Sequence, residues 1–192
     1  MKNIKFKALS VGIACCLMSA CGVQNGNNAT TVSGLSTAAF DTTINNKPVK
    51  LYTLSNNNGM EVCITNFGGR IVSLVVPDKN GKQTDVVLGY DNIAQYADSV
   101  NSPSDFGAAI GRYANRINKG KLNIDGKDIQ LPINNYGHCL HGGPSGWQYQ
   151  VYDAKQLNDT TLQLTILSKD GDNNFPGNVK ASVTYTLKSN NS

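Results

Sequence analysis

From about residue 49 onward, apolar and polar side chains alternate with a period of two. That spacing puts one set of side chains on each face of a β-strand. Residues 49–54 form such a run, which ends at Asn56-Asn57-Asn58-Gly59. Residues 60–67 form the next. Gly68-Gly69 interrupts it, and residues 70–76 resume the alternation before the turn cluster at 77–82. Residues 85–88 read as a short buried run. Residues 121–124 and 128–131 flank Asp125-Gly126-Lys127, a hairpin signal. Residues 148–154, 161–167 and 179–187 predict three further strands. Only residues 93–100 offer a helical turn or two, so short strands with turn chemistry between them predict an all-β sandwich.

The two ends of the chain read differently. Lys2, Lys5 and Lys7 precede an apolar run at 8–18, then Ser19-Ala20 and Cys21. The run is shorter than the roughly 20 residues that a membrane-spanning helix needs, and the layout is that of a secretory signal. Leu17-Met18-Ser19-Ala20-Cys21 resembles a bacterial lipobox. The resemblance implies a lipoprotein signal peptide over 1–20, lipidation of Cys21 and an anchor in the bacterial cell envelope, on a periplasmic or outer-membrane face. Residues 21–38 are rich in Asn, Gly, Thr and Ser and read as a flexible tether. At the other end, the strand at 179–187 runs into Lys188-Ser189-Asn190-Asn191-Ser192, which has the composition of a turn before another strand. The sandwich is therefore expected to be incomplete at the C-terminus.

Removing the signal changes the charge. Three lysines and no acidic residue lie in 1–20, so the net charge falls from +4 to near +1. No basic run remains, which argues against nucleic acid as a partner. Gly81-Lys82 and Gly126-Lys127 sit in turns and do not make a phosphate loop. Of the cysteines outside the signal and anchor, Cys63 lies in an apolar strand and reads as a buried free thiol. A bridge to Cys139 is permitted but not placed by sequence.

Candidate chemistry gathers at Asn135-Tyr136-Gly137-His138-Cys139-Leu140-His141-Gly142-Gly143-Pro144, which holds both histidines of the chain. Imidazole suits proton transfer near neutral pH. A Cys139–histidine nucleophile is disfavoured because neighbouring side chains on an extended backbone point to opposite faces. Zinc is disfavoured because a fourth ligand and a familiar spacing are missing. A second segment, residues 106–117, sets Arg112, Asn115 and Arg116 in a small, apolar run. Guanidinium forks and amides recognise hydroxyl and ring oxygens through directed hydrogen bonds. A third, residues 168–177, reads alone as a turn and lacks the closing Glu of a calcium loop.

Five segments in order resemble the aldose 1-epimerase, or galactose mutarotase, family. They are Asn66-Phe67-Gly68-Gly69-Arg70-Ile71, Asp85-Val86-Val87-Leu88-Gly89-Tyr90, Gly111-Arg112-Tyr113-Ala114-Asn115-Arg116-Ile117, Leu140-His141-Gly142-Gly143, and Asp170-Gly171 through Phe175-Pro176-Gly177. The likeness covers about residues 39–192. It implies a β-sandwich of the galactose mutarotase type and a reaction without cofactor or metal. That reaction interconverts the α and β anomers of a free aldose by acid–base opening of the ring. It implies that Asn115 and Arg116 contact the sugar and that His141 is the first active-site histidine. Arg112 is expected to support the fold, Trp147 to be a core residue at a strand start, and His138 has no counterpart role.

The family's second histidine, its sugar-binding aspartate and its glutamate base would fall beyond Ser192. The only glutamate here, Glu61, lies in an early strand. Residues 39–192 are thus expected to be the N-terminal part of the domain, inactive alone. The alternatives are a sugar-binding lipoprotein without catalysis and a β-sandwich with only a structural role.

Overall fold

The computed structural model of the protein describes residues 29–192. The expected signal, Cys21 and the first part of the expected tether lie outside the described residues. Thirteen strands follow in order: β1 (Thr42–Ile44), β2 (Lys47–Val49), β3 (Leu51–Ser55), β4 (Glu61–Thr65), β5 (Arg70–Pro77) and β6 (Gln83–Asp85) precede one short helix, α1 (Ile93–Ala97). After it come β7 (Arg116–Ile117), β8 (Lys121–Ile124), β9 (Lys127–Gln130), β10 (Cys139–Leu140), β11 (Asp153–Asn158), β12 (Thr161–Ser168) and β13 (Val179–Thr186). All pairings are antiparallel. One sheet has the order β3-β4-β5-β6 and another β11-β12-β13, while β1-β2, β8-β9 and β7-β10 form two-stranded ribbons. The two larger sheets pack face to face, so the expectation of an all-β sandwich is met.

Period-two alternation explains the layering. In β4 every residue is buried. Val62 and Ile64 join Leu54 from β3 and Leu162, Leu164 and Ile166 from β12 between the sheets. Cys63 points the other way, into a second cluster with Leu35, Phe40, Val72, Ile93 and Tyr96. Each such aliphatic side chain contributes roughly 1.5–3 kcal/mol on full burial. The first sheet is therefore covered on both faces, by the second sheet and by the segment 30–40 with α1.

That covering segment overlaps the tether expected over 21–38. Leu35 is buried, the Val32 amide donates to Glu61 Oε1 at 2.8 Å, and Ser33 Oγ donates to Ser73 Oγ at 3.1 Å. The packed domain thus begins near Thr30 rather than Ala39. Its polar composition hid these contacts, because apart from Leu35 they are made by backbone and hydroxyl groups.

Two more expectations shift. Residues 85–88 are not a buried run, since β6 ends at Asp85 and Val86 and Leu88 are 58% and 73% exposed. The Asp85 carboxylate accepts from the amides of Leu74 and Val87, and a side chain that captures ladder amides ends a strand. Residues 148–154 do not form one strand either. Trp147–Tyr149 is a 3₁₀ turn and β11 starts at Asp153. The backbone between them is bonded elsewhere: the Trp147 amide donates to Gly111 O and the Tyr152 amide to Asn66 O.

A third bond of that stretch leads to Arg70, one of the largest fully buried side chains. Its Nη1 donates to Ser104 O at 3.0 Å and Phe106 O at 3.1 Å, and its Nη2 to Gln148 O at 2.8 Å. Its guanidinium also lies 5.3 Å from the Tyr96 ring centroid and 5.8 Å from that of Phe67. Burial lowers its pKa, and the field of Asp105 acts in the opposite direction. A guanidinium remains charged even so, and its bonds tie β5 to two loops that surround the candidate site.

Two glycines set the distance between those loops. A Cβ on Gly111 would lie 2.0 Å from Trp147 Cε3, and one on Gly142 would lie 2.0 Å from Gly111 O. Gly142 also has φ +79°, where an L side chain is strained. Gly137 shares that φ but a Cβ there would meet nothing within 4 Å.

Replacing Arg70 by Ala leaves two buried carbonyls, of Ser104 and Gln148, and the partly buried one of Phe106 unpaired, a buried one costing about 1–3 kcal/mol. Chemical denaturation should show a loss of at least ~3 kcal/mol; a loss below ~1 kcal/mol would contradict this account. Gly142→Ala should cost at least ~2 kcal/mol more than Gly137→Ala, because only the former adds a steric clash to the backbone strain. Equal costs would show that the Gly111–Gly142 contact is not tight.

Candidate active site

Strands β7 and β10 pair with Cys139 opposite Ile117 and Leu140 opposite Arg116. One residue beyond that pair, the ribbon closes in an unusual way. The His141 amide donates to Asn115 O at 3.1 Å, and the Asn115 amide donates to His141 Nδ1 at 3.0 Å. Both residues have positive φ, +67° at Asn115 and +52° at His141. Positive φ is uncommon for residues other than glycine, although Asn and His adopt it more often than most, and strained non-glycine backbone concentrates at functional sites.

The reciprocal bonds determine the chemistry of the imidazole. A nitrogen that accepts from an amide is unprotonated, so the neutral ring carries its proton on Nε2. Protonating Nδ1 would set two donors against each other. His141 therefore presents Nε2–H outward from a half-buried ring.

The expected partners are brought to the same place. Asn115 and Arg116 are exposed. Arg116 Nε donates to Asn135 Oδ1 at 2.9 Å and Nη1 to Asn115 Oδ1 at 3.5 Å. The guanidinium is thus held beside the Asn115 amide with N–H groups to spare, five being available in all. Asn134 strengthens the same ribbon, exchanging side-chain bonds with the carbonyl and amide of Leu140.

Arg112 is placed as expected, in the fold and not the site. Its N–H groups go to Ser168 Oγ, Ser168 O, Lys169 O and Pro176 O, and its guanidinium lies 5.8 Å from the Phe175 ring centroid. It thereby joins the 111–117 segment to the 168–177 loop. His138 is also spent on structure, its Nδ1 accepting from the Lys119 amide at 3.2 Å. Trp147 packs on Gly111 from a 3₁₀ turn and not from a strand start.

The cysteines do not take part. Cys63 and Cys139 are free and buried, and burial raises the pKa of both thiols, the opposite of what an activated nucleophile needs. Among the described residues no group of three or more His, Cys, Asp or Glu is placed to hold a metal ion. Nor is any described helix long and apolar enough to cross a membrane.

One residue beside His141 escaped the sequence reading. Asp105 Oδ2 lies 3.8 Å from His141 Nε2, on a loop whose carbonyls at Ser104 and Phe106 are both held by Arg70. Its only trace in the sequence is an acidic residue just before the apolar run at 106–111, which no spacing rule connects to a histidine far along the chain.

Residues 50–192 match the model of the aldose 1-epimerase family. Among curated relatives, the chain is 34% identical over 166 residues to a probable aldose 1-epimerase of Arthroderma benhamiae, covering 85% of this chain and 37% of the relative. It is 40% identical over 128 residues to the galactose mutarotase of Rattus norvegicus, covering 67% and 36%. It is 35% identical over 145 residues to the aldose 1-epimerase of Escherichia coli K12, covering 76% and 41%. Among solved structures, an aldose epimerase homologue from C. elegans superposes with a TM-score of 0.67 at 34% identity, over 72% of this chain and 42% of that one. The galactose 1-epimerase of Lactobacillus acidophilus gives 0.66 at 27% identity, over 77% and 43%. The chain spans about two fifths of the length of these relatives. A sandwich of this topology, with these motifs in this order, belongs to the aldose 1-epimerase family.

Proposed function

We propose that this chain supplies part of the active site of a mutarotase, which interconverts the α and β anomers of a free aldose such as glucose or galactose. The observation that carries the reading is the imidazole of His141, locked by the Asn115 amide with Nε2–H as its free donor. In this reading that donor serves an oxygen at the reacting centre, and Asn115 with Arg116 binds the sugar hydroxyls. The ring opens when one group removes the anomeric proton and another protonates the ring oxygen. The aldehyde then turns about its C1–C2 bond and the ring closes on its other face. Fixing the sugar against rigid donors lowers the entropy cost of that sequence.

Glu61 does not serve as the base in this scheme. Its carboxylate is buried and bonded to the Val32 amide, in the layer behind the first sheet. The proposal therefore assigns the described residues to sugar binding and to one acid–base group, and no further. We also propose that Cys21 carries a lipid that anchors the protein in the bacterial cell envelope, on the strength of the lipobox-like sequence.

Polarimetry with freshly dissolved α-D-galactose tests the activity. The intact natural protein should accelerate mutarotation, and His141→Ala should lower that rate about 10²–10⁴-fold, the usual worth of one positioned acid–base group. Residues 29–192 alone should add nothing to the rate in buffer. An unchanged rate in His141→Ala would remove the histidine from the mechanism. Saturable sugar binding by the intact protein with no acceleration would favour the sugar-binding lipoprotein. Mass spectrometry of the native N-terminus tests the anchor: an acylated Cys21 is expected, and an unmodified chain retaining residues 1–20 would contradict it.

A further inference from the structure

We propose that Asp105 is a specificity-determining residue of this site, and that it pairs with His141 to read a single hydroxyl group of a neutral sugar. The inference rests on the sugar-binding reading above and names a contact which that reading does not contain.

The geometry is that of a donor and an acceptor facing each other across a gap. Nε2–H of His141 is a donor, because Nδ1 is occupied by the Asn115 amide. Asp105 Oδ2 is an acceptor 3.8 Å away. That distance exceeds a direct hydrogen bond, and no described residue donates a hydrogen bond to the Asp105 carboxylate. An oxygen placed about 2.8 Å from both atoms fits across the gap, to one side of the line joining them. Such an oxygen must accept from Nε2–H and donate to Oδ2. A hydroxyl does both, whereas a carbonyl oxygen, a carboxylate or an ether oxygen cannot donate.

Both members are held in place. The Asp105 loop is tied on either side by Arg70, through Ser104 O and Phe106 O, and a backbone bond from the Ala108 amide to Asp105 O closes its turn. The imidazole is fixed from the opposite edge by Asn115. The charged and titratable groups around the pair are Arg116, bonded to the Asn115 side chain, and Arg70 and Tyr149, both of which feel the charge of Asp105. A hydroxyl that donates to a carboxylate makes a charge-assisted hydrogen bond, about twice as strong as a neutral one.

The two histidines make the test self-controlled. Imidazole NMR signals of the full chain are followed while D-galactose is added, with His141 reporting the site and His138, pinned to the Lys119 amide, reporting the fold. Galactose should move the His141 signal saturably and leave His138 unmoved. Asp105→Ala should raise the apparent Kd about tenfold or more, the cost of losing a hydrogen bond to a charged group. Asp105→Asn, which keeps an acceptor oxygen, should recover part of it. Among the monodeoxy galactoses, one should bind the wild type and Asp105→Ala equally, because the hydroxyl that Asp105 reads is already gone. A uniform loss across all the deoxy sugars, or an unchanged Kd for galactose in Asp105→Ala, would overturn the assignment while leaving the sugar site intact. No response of His141 to any sugar in the wild type would overturn both.

Discussion

One buried guanidinium holds the site's surroundings together. Arg70 follows the Gly68-Gly69 break at the start of β5, and its charge is removed from water without a direct ion pair. Three carbonyls from two separate loops take its protons. Burying such a charge is costly unless it is hydrogen-bonded; its Nε has no partner among the described residues, so the three bonds from Nη1 and Nη2 are what tie the loops at 104–106 and 147–149 to β5. These loops carry Asp105, which faces His141, and Trp147, which packs on Gly111.

Against that scaffold, the site is assembled from backbone more than from side chains. The Asn115 and His141 amides each bond to the other residue, which sets both the position and the tautomer of the imidazole. Positive φ at both residues is the local cost, stabilised by the β7–β10 pair, by Asn134 clasping Leu140 and by Gly142 resting on Gly111 O. His138 and His141 illustrate how little residue type decides. Both accept an amide hydrogen bond at Nδ1, but only His141 faces a carboxylate.

The strands were legible wherever at least one face of a sheet is packed. β4, β5 and β12 alternate because each buries at least one side. The Asp125-Gly126 hairpin was legible because its turn requires positive φ at both central residues. Reading failed where side chains or distant loops took over backbone bonds: Asp85 ends β6, and the stretch before β11 is bonded to Gly111, Arg70 and Asn66. Residues 30–38 read as part of a tether because most of their anchoring groups are hydroxyls and amides, whose partners on β4 and β5 cannot be seen locally. In the candidate site, Asn115, Arg116 and His141 lie in motifs and were singled out by them. Asp105 lies in none, and only the folded chain brings it to within 3.8 Å of His141.

The central claim is that His141 is locked as the Nε2–H tautomer by the Asn115 amide. Long-range nitrogen–proton NMR of the imidazole at neutral pH tests it most directly. The account predicts a single fixed tautomer with the proton on Nε2. A proton on Nδ1, or two tautomers in rapid exchange, would contradict it.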